Sequence, residues 1–171
     1  MTAGATYVPI ATQTLGSAVG SVTFSSIPGT YTDLVLTVSA SVSSTWDVAA
    51  IQVNSITSGY SRTYLQGDGT SATSARATAE IRLRGGYLPP SSGGTFSADT
   101  YHFMNYANTT TNKTVLVRAS SVNTGSQGFN AHASVSLVPT TAAITQLIVL
   151  PINGANLAIG STFTLYGISS A

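Results

Sequence analysis

Apolar and polar residues alternate with a period of two along several parts of the chain. In Leu34–Val42 every second residue is apolar and most of the residues between them are polar. Lys113–Ala119 repeats the pattern, with Lys113 on the same face as Val115 and Val117, and Ala131–Val138 alternates less cleanly. Because neighbouring side chains of a strand point to opposite faces, this pattern predicts half-buried β-strands. Good helix formers such as Glu and Lys are scarce, so the chain is predicted to be all-β.

Short apolar runs between turn signals predict the remaining strands. The full set is Ile10–Leu15, Ser21–Ser25, Leu34–Val42, Val48–Val53, Arg62–Gln66, Ala79–Arg84, Phe96–Tyr106, Lys113–Ala119, Ala131–Val138, Ile144–Ile152 and Thr162–Ile168. Leu147–Leu150 is apolar on both faces, which indicates a central strand. Turns are expected at Gly67-Asp68-Gly69, Arg84-Gly85-Gly86 and Pro89–Gly94. The prediction is a single-domain antiparallel β-sandwich, jelly-roll-like, of about ten short strands in residues 10–171, preceded by an N-terminal arm in residues 1–9.

Charged residues are unusually few. They make up 6% of the 171 residues, against about 25% in an ordinary domain. The first is Asp33, the last is Arg118, and the polar surface falls instead to 50 Ser and Thr. A net charge of +1 argues against binding to nucleic acid or to an anionic membrane. Since a nearly uncharged surface promotes association, we expect a homo-oligomer whose surface is largely covered. A Ser/Thr-rich extracellular domain that tolerates low charge is the alternative.

The residues that could carry out catalysis are few enough to search completely. The five acids stand in no recognisable catalytic motif, and the chain has no GxSxG sequence and no cysteine. His102 and His132 lack the spacing of a metal site and are predicted to be packed or surface histidines. The sequence therefore predicts no catalytic residue, no metal, no cofactor and no enzymatic activity.

One stretch concentrates arginine and tyrosine, which are typical of contact surfaces. The candidate interface residues are Tyr60, Arg62, Tyr64, Arg76, Arg82, Arg84 and Tyr87. The same composition would suit a sugar or a phosphate. A solvated strand edge is also consistent with it, because Arg82 and Arg84 would share one face beside Glu80.

Turn-and-strand motifs along most of the chain resemble small virion structural proteins of tailed bacteriophages. They lie in Ile10–Leu15, in Val22–Leu34, in Tyr60–Leu65 with the following Gly67-Asp68-Gly69, and in the final Gly160–Ile168. The resemblance implies a β-sandwich, commonly trimeric, that binds other virion proteins and has no catalytic residue.

Within that group, such domains occur as head decoration (cement) proteins and in tail or fibre proteins. The sequence shows no long shaft or tail-attachment region, which favours a decoration protein that binds the major capsid protein on the phage head. The first alternative is a tail-fibre or receptor-binding domain for a host glycan, in which Tyr60, Tyr64 and Tyr87 stack on the sugar. The second is an enzyme acting on the host envelope, which the missing catalytic motifs disfavour.

Overall fold

The computed structural model describes residues 6–122 and 130–169, which contain twelve β-strands and one short 3₁₀ turn at Ser91–Gly93. The strands are β1 (Tyr7–Thr14), β2 (Val22–Phe24), β3 (Asp33–Ser39), β4 (Asp47–Val53), β5 (Tyr60–Gly67), β6 (Ala72–Glu80), β7 (Leu83–Leu88), β8 (Ala98–Met104), β9 (Lys113–Ser121), β10 (Asn130–Val138), β11 (Leu147–Pro151) and β12 (Thr162–Ile168). The all-β prediction is confirmed.

The strands form two antiparallel sheets that pack face to face. The larger has eight strands in the order β1-β12-β3-β8-β9-β10-β5-β6, and the smaller has four in the order β2-β11-β4-β7. Strand β7 of the small sheet lies over β9, β10 and β5 of the large one. This arrangement is an antiparallel sandwich, as predicted, and the jelly-roll topology is not confirmed.

The core lies between the two sheets, where the alternating strands place their apolar faces. On the large sheet Leu34, Leu36 and Val117 are buried, as the period of two predicts. Strand β11 is central in the small sheet, and its Leu147 and Val149 are buried. Its Ile148 and Leu150 are only half-buried, so the strand is less enclosed than predicted.

Two local predictions are wrong in the β6–β7 region. The predicted strand Ala79–Arg84 is interrupted, because the chain bends between Glu80 and Leu83 and reverses direction. Gly85 and Gly86 lie inside β7 rather than at a turn. A Cβ on Gly86 would lie 2.5 Å from the Cβ of Ala119, so glycine is needed there for the two sheets to approach each other.

The N-terminal strand overlaps the predicted arm. β1 begins at Tyr7, which pairs with Ile168 of β12, so residues 7–9 belong to the large sheet. Residues 1–5 lie outside the described residues.

Candidate functional site

The structure separates the seven predicted interface residues into different environments. Tyr60 is 1% exposed, and its hydroxyl accepts a hydrogen bond from the backbone N–H of Val53 at 3.0 Å and donates one to Ile56 O at 3.2 Å. Burial also raises the pKa of Tyr60. This side chain therefore belongs to the core rather than to a contact surface, and it is not available to stack on a sugar.

Arg62 and Arg84 are brought together by Glu80. The Nε of Arg62 lies 3.0 Å from Glu80 Oε2, and the Nε of Arg84 lies 3.9 Å from Glu80 Oε1. A bulge in the β5–β6 pairing precedes Glu80, and Ala79 there has a φ of 58°, in the left-handed region. Because a bulge changes the direction of the side chains that follow it, Glu80 can reach both arginines.

An aromatic stack continues from Arg62 along the inner face of the large sheet. The guanidinium carbon of Arg62 lies 4.3 Å from the centre of the Tyr64 ring, a cation–π distance. The Tyr64 ring stacks on His132 with 5.8 Å between the ring centres. Burial and then the nearby charge of Arg62 lower the pKa of His132 to about 4, so this histidine is neutral at pH 7. His132 is thus packed, as predicted.

A small polar cleft lies between the two sheets beside this stack. We call it the arginine cleft; it has a volume of about 50 Å³ and is lined by Val48, Arg62, Gln66, Arg84, Gly85, Gly86, Tyr87 and Asn130. Tyr87 also packs edge-to-face against Trp46, with 5.2 Å between the ring centres. The cleft therefore combines guanidinium, amide and aromatic groups.

Arg82 and Arg76 lie apart from the arginine cleft. Arg82 is in the bend between β6 and β7, and its Nε is buried without a hydrogen-bond partner in the described ranges 6–122 and 130–169. Arg76 is exposed on β6 and pairs across the sheet with Thr63 of β5. The predicted cluster is therefore not one surface.

An uncovered apolar area lies on the outer face of the large sheet, which faces away from the small sheet. We call it the outer patch; it consists of Leu65, Leu116, Ala131, Ala133, Val135 and Leu137. Leu65 is 61% exposed, Val135 49%, Leu116 39% and Leu137 38%. The register places Val135 directly between Leu116 of β9 and Thr63 of β5. A groove of about 910 Å³ crosses this face and includes Leu65, Ala131 and Ala133 in its lining.

Two arginines border the outer patch. Arg118 lies opposite Ala133 and Thr100 on the neighbouring strands. Arg76 of β6 pairs with Thr63 of β5, which in turn pairs with Val135. Neither has a carboxylate within 4.0 Å among the described residues.

All five acids of the chain have other partners or are buried. Asp33 binds His102 and the N–H of Asn105, while Asp47 binds the segment around Asn153. Asp68 caps its own turn, Glu80 binds the cleft arginines, and Asp99 is buried.

The sequence contains a signal for the outer patch, in addition to the patterns that predict the strands. On β9 and β10 one alternating set of residues is buried, yet the opposite set includes Leu116, Val135 and Leu137 instead of only polar residues. A strand that carries apolar residues in both sets predicts a second apolar face.

The described residues contain no group of three or more His, Cys, Asp or Glu that could hold a metal ion. In 6–122 and 130–169 there is also no helix of the length and apolarity needed to cross a membrane. The chain matches no protein-family model, and a search of curated proteins finds no significant relative.

Proposed function

We propose that this protein is a non-enzymatic virion structural protein of a tailed bacteriophage, acting as an oligomeric decoration (cement) protein on the head. The observation that carries the proposal is the outer patch, an uncovered apolar surface bordered by Arg76 and Arg118. The resemblance of the sequence to phage virion proteins supports the same role. In this role the chain adds contact area across the seams between major capsid subunits.

The energetics of the outer patch favour burial against a protein partner. Covering a half-exposed Leu or Val contributes about 1 kcal/mol, and a standard protein interface of about 1,600 Å² would extend well beyond the patch. The surrounding Thr and Ser residues cost less to desolvate than ions would. Such a surface is suited to a stable protein–protein interface in an assembly.

The charges on this face favour a capsid surface over a second copy of the chain. Arg76 and Arg118 have no carboxylate partner in the part of the chain that the structure describes, whereas the acids of a second copy are engaged as described above. A partner with carboxylates at the rim of an apolar site would pair with both arginines. We therefore assign the outer patch to the major capsid protein. The homo-oligomer, expected to be a trimer, would use another surface.

Binding to heads assembled without this chain tests the proposal. Val135→Asp would place a carboxylate in the centre of the contact, which should cost on the order of 2 kcal/mol, or about thirtyfold in affinity. Ile159→Asp is the matched control, because Ile159 is 63% exposed and lies on the loop before β12. Co-sedimentation of each variant with the heads measures affinity, and thermal unfolding checks that both fold. Equal binding by Val135→Asp and wild type would contradict the proposal.

The stabilising role has its own readout. Heads that carry the protein should release DNA at a higher temperature than heads without it. Identical release temperatures would leave the chain as a bound protein without a cement function.

A second candidate function, recognition of a host glycan by a tail protein, is favoured by Trp46 and Tyr87. These two rings, of which Trp46 is exposed and Tyr87 half-buried, form an aromatic pair beside the polar arginine cleft, and such a combination suits a sugar ring with its hydroxyls. Immunogold labelling of intact virions distinguishes the candidates, because a decoration protein labels the head and a receptor-binding protein labels the tail.

A further inference from the structure

The arginine cleft contains a buried polar side chain that the described residues leave without partners. Asn130 is 5% exposed, and neither its Nδ2 nor its Oδ1 makes a hydrogen bond within residues 6–122 and 130–169. Buried amides are nearly always paired, since an unpaired one loses its hydration without compensation. The adjacent inner-face residue of the same strand, His132, also has a buried Nε2 with no partner among the residues that the structure describes. This end of the cleft thus presents a free donor and a free acceptor.

The charge of the cleft is set by three residues. Arg62 and Arg84 contribute two positive charges and Glu80 one negative charge, which leaves a local charge of +1. Glu80 lies closer to Arg62, at 3.0 Å, than to Arg84, at 3.9 Å, so the guanidinium of Arg84 retains donors for another acceptor. His132 adds no charge because it is neutral at pH 7. A singly charged anion would neutralise the local charge of +1, whereas a phosphate dianion would leave a net negative charge in the cleft.

From these groups we propose that the arginine cleft binds the carboxylate of a hydroxycarboxylate ligand. The carboxylate accepts hydrogen bonds from Arg84 and from Asn130 Nδ2, and the neighbouring hydroxyl donates one to Asn130 Oδ1. This arrangement satisfies both atoms of the buried amide and neutralises the local charge. The site is independent of the proposed capsid contact, because the cleft lies on the inner side of the large sheet and the outer patch on the other.

The size of the cleft limits what part of the ligand enters it. A cleft volume of about 50 Å³ holds a carboxylate and a hydroxyl but not a whole sugar, because a cavity needs about 10–15 Å³ of this volume for each water-sized group. The rest of a larger ligand would lie over Tyr87 and Trp46. Two sources therefore share this chemistry, a small hydroxy acid and a uronic acid within a polysaccharide.

Calorimetric titration of the full-length protein with four compounds tests the ligand class. D-Lactate carries a hydroxyl on the carbon next to its carboxylate, and D-glucuronate carries its nearest hydroxyl, O4, one carbon further away. D-Glucose lacks the carboxylate, and inorganic phosphate carries more charge. We expect glucuronate or lactate to bind at least tenfold more tightly than glucose and phosphate. Tighter binding of glucuronate than of lactate identifies a uronic acid, and the reverse identifies a small hydroxy acid. Equal binding of all four, or of none, overturns the proposal.

Two arginine variants locate the binding site. Arg84→Gln removes one of the two positive charges in the cleft, which brings the local charge to zero, and should weaken carboxylate binding at least tenfold. Arg76→Gln makes the same change in charge on the outer face and should leave binding unchanged. If both variants weaken binding equally, the effect is one of net charge and the cleft is not the site.

Asn130→Leu tests the role of the unpaired amide. Leucine has a similar shape and no polar atoms, so the free protein should melt at a higher temperature while carboxylate binding is lost. A lower melting temperature with undiminished binding would show that the amide serves the fold and not a ligand.

Discussion

Asp99 and His132 are buried ionisable residues whose effects on stability have opposite dependence on pH. Asp99 on β8 is 2% exposed, and burial raises its pKa to about 7 from an ordinary 3.8. The hydroxyl of Tyr101 donates a hydrogen bond to its Oδ2 at 3.2 Å. Burial, with the charge of Arg62, lowers the pKa of His132 from 6.5 to about 4. The folded state therefore keeps the proton on Asp99 and releases the one on His132.

The sign of each effect follows from which state binds more protons. The stabilisation from Asp99 is complete below pH 3.8 and is lost as the pH rises to about 7, because the unfolded carboxyl ionises first. The stabilisation from His132 is complete above pH 6.5 and is lost as the pH falls to about 4, because the unfolded imidazole is protonated first. Between pH 4 and 6.5 the two slopes cancel.

Asp99→Asn removes one of the two opposing effects. Each pKa unit corresponds to about 1.4 kcal/mol, so the free energy of unfolding of this variant should rise by about 3 kcal/mol between pH 4 and 6.5 relative to wild type. His132→Phe, which preserves the stacking on Tyr64, should show the reverse, a relative fall of about 3 kcal/mol over the same interval. Urea unfolding monitored by Trp46 fluorescence at several pH values measures both slopes.

The double variant Asp99→Asn/His132→Phe is the control, because its pH profile should again match that of wild type. If Asp99→Asn has the same pH slope as wild type, then Asp99 does not hold a proton in the folded state and the reasoning from burial is refuted.

Two further predictions concern the backbone. Gly86→Ala should destabilise the protein by about 2 kcal/mol or more, because the new Cβ meets Ala119. In the control Gly16→Ala the new Cβ has nothing within 4 Å, so the urea midpoint should change little. Equal midpoints for the two variants would contradict this packing. Ala79→Gly should raise stability by about 1 kcal/mol, since φ is 58° there, and a lower melting temperature would show that the bulge does not strain alanine.

The sequence predicted the buried face of a strand correctly where apolar and polar residues alternate along it. In β3 and β9 the apolar set of residues faces the core, including Lys113, whose buried Nζ donates hydrogen bonds to Thr111 O at 2.7 Å and Thr141 O at 3.1 Å. The Gly67-Asp68-Gly69 turn also lies where it was predicted, between β5 and β6.

The pairing of strands could not be predicted from the sequence, because it depends on contacts between residues that are distant in sequence. Alternation is the same whether β12 pairs with β3 or with another strand, so the division into eight and four strands could not be predicted. Likewise Gly85 and Gly86 read as a turn, although they are required by the close approach of β7 to the large sheet. Local composition does not distinguish these two uses of glycine.

The candidate site was predicted by residue type and not by arrangement. Arg62, Arg84 and Tyr87 do meet in one cleft, but their neighbour Asn130 comes from β10, far away in sequence. Tyr60 and Arg76 belong to the same stretch and lie in the core and on the outer face respectively. Whether each side chain lies in the core, in the cleft or on the outer face depends on which face the second sheet covers. The spacing of residues in the sequence does not encode that coverage.

Hydroxyl-radical footprinting of the protein, free in solution and bound to phage heads, tests the central claim most directly. We predict that Leu65, Leu116, Val135 and Leu137 are oxidised in the free protein and protected on the head, while Ile159 is oxidised equally in both. If these four outer-patch residues remain as reactive on the head as in solution, the outer patch is not the capsid contact and the proposed function is wrong.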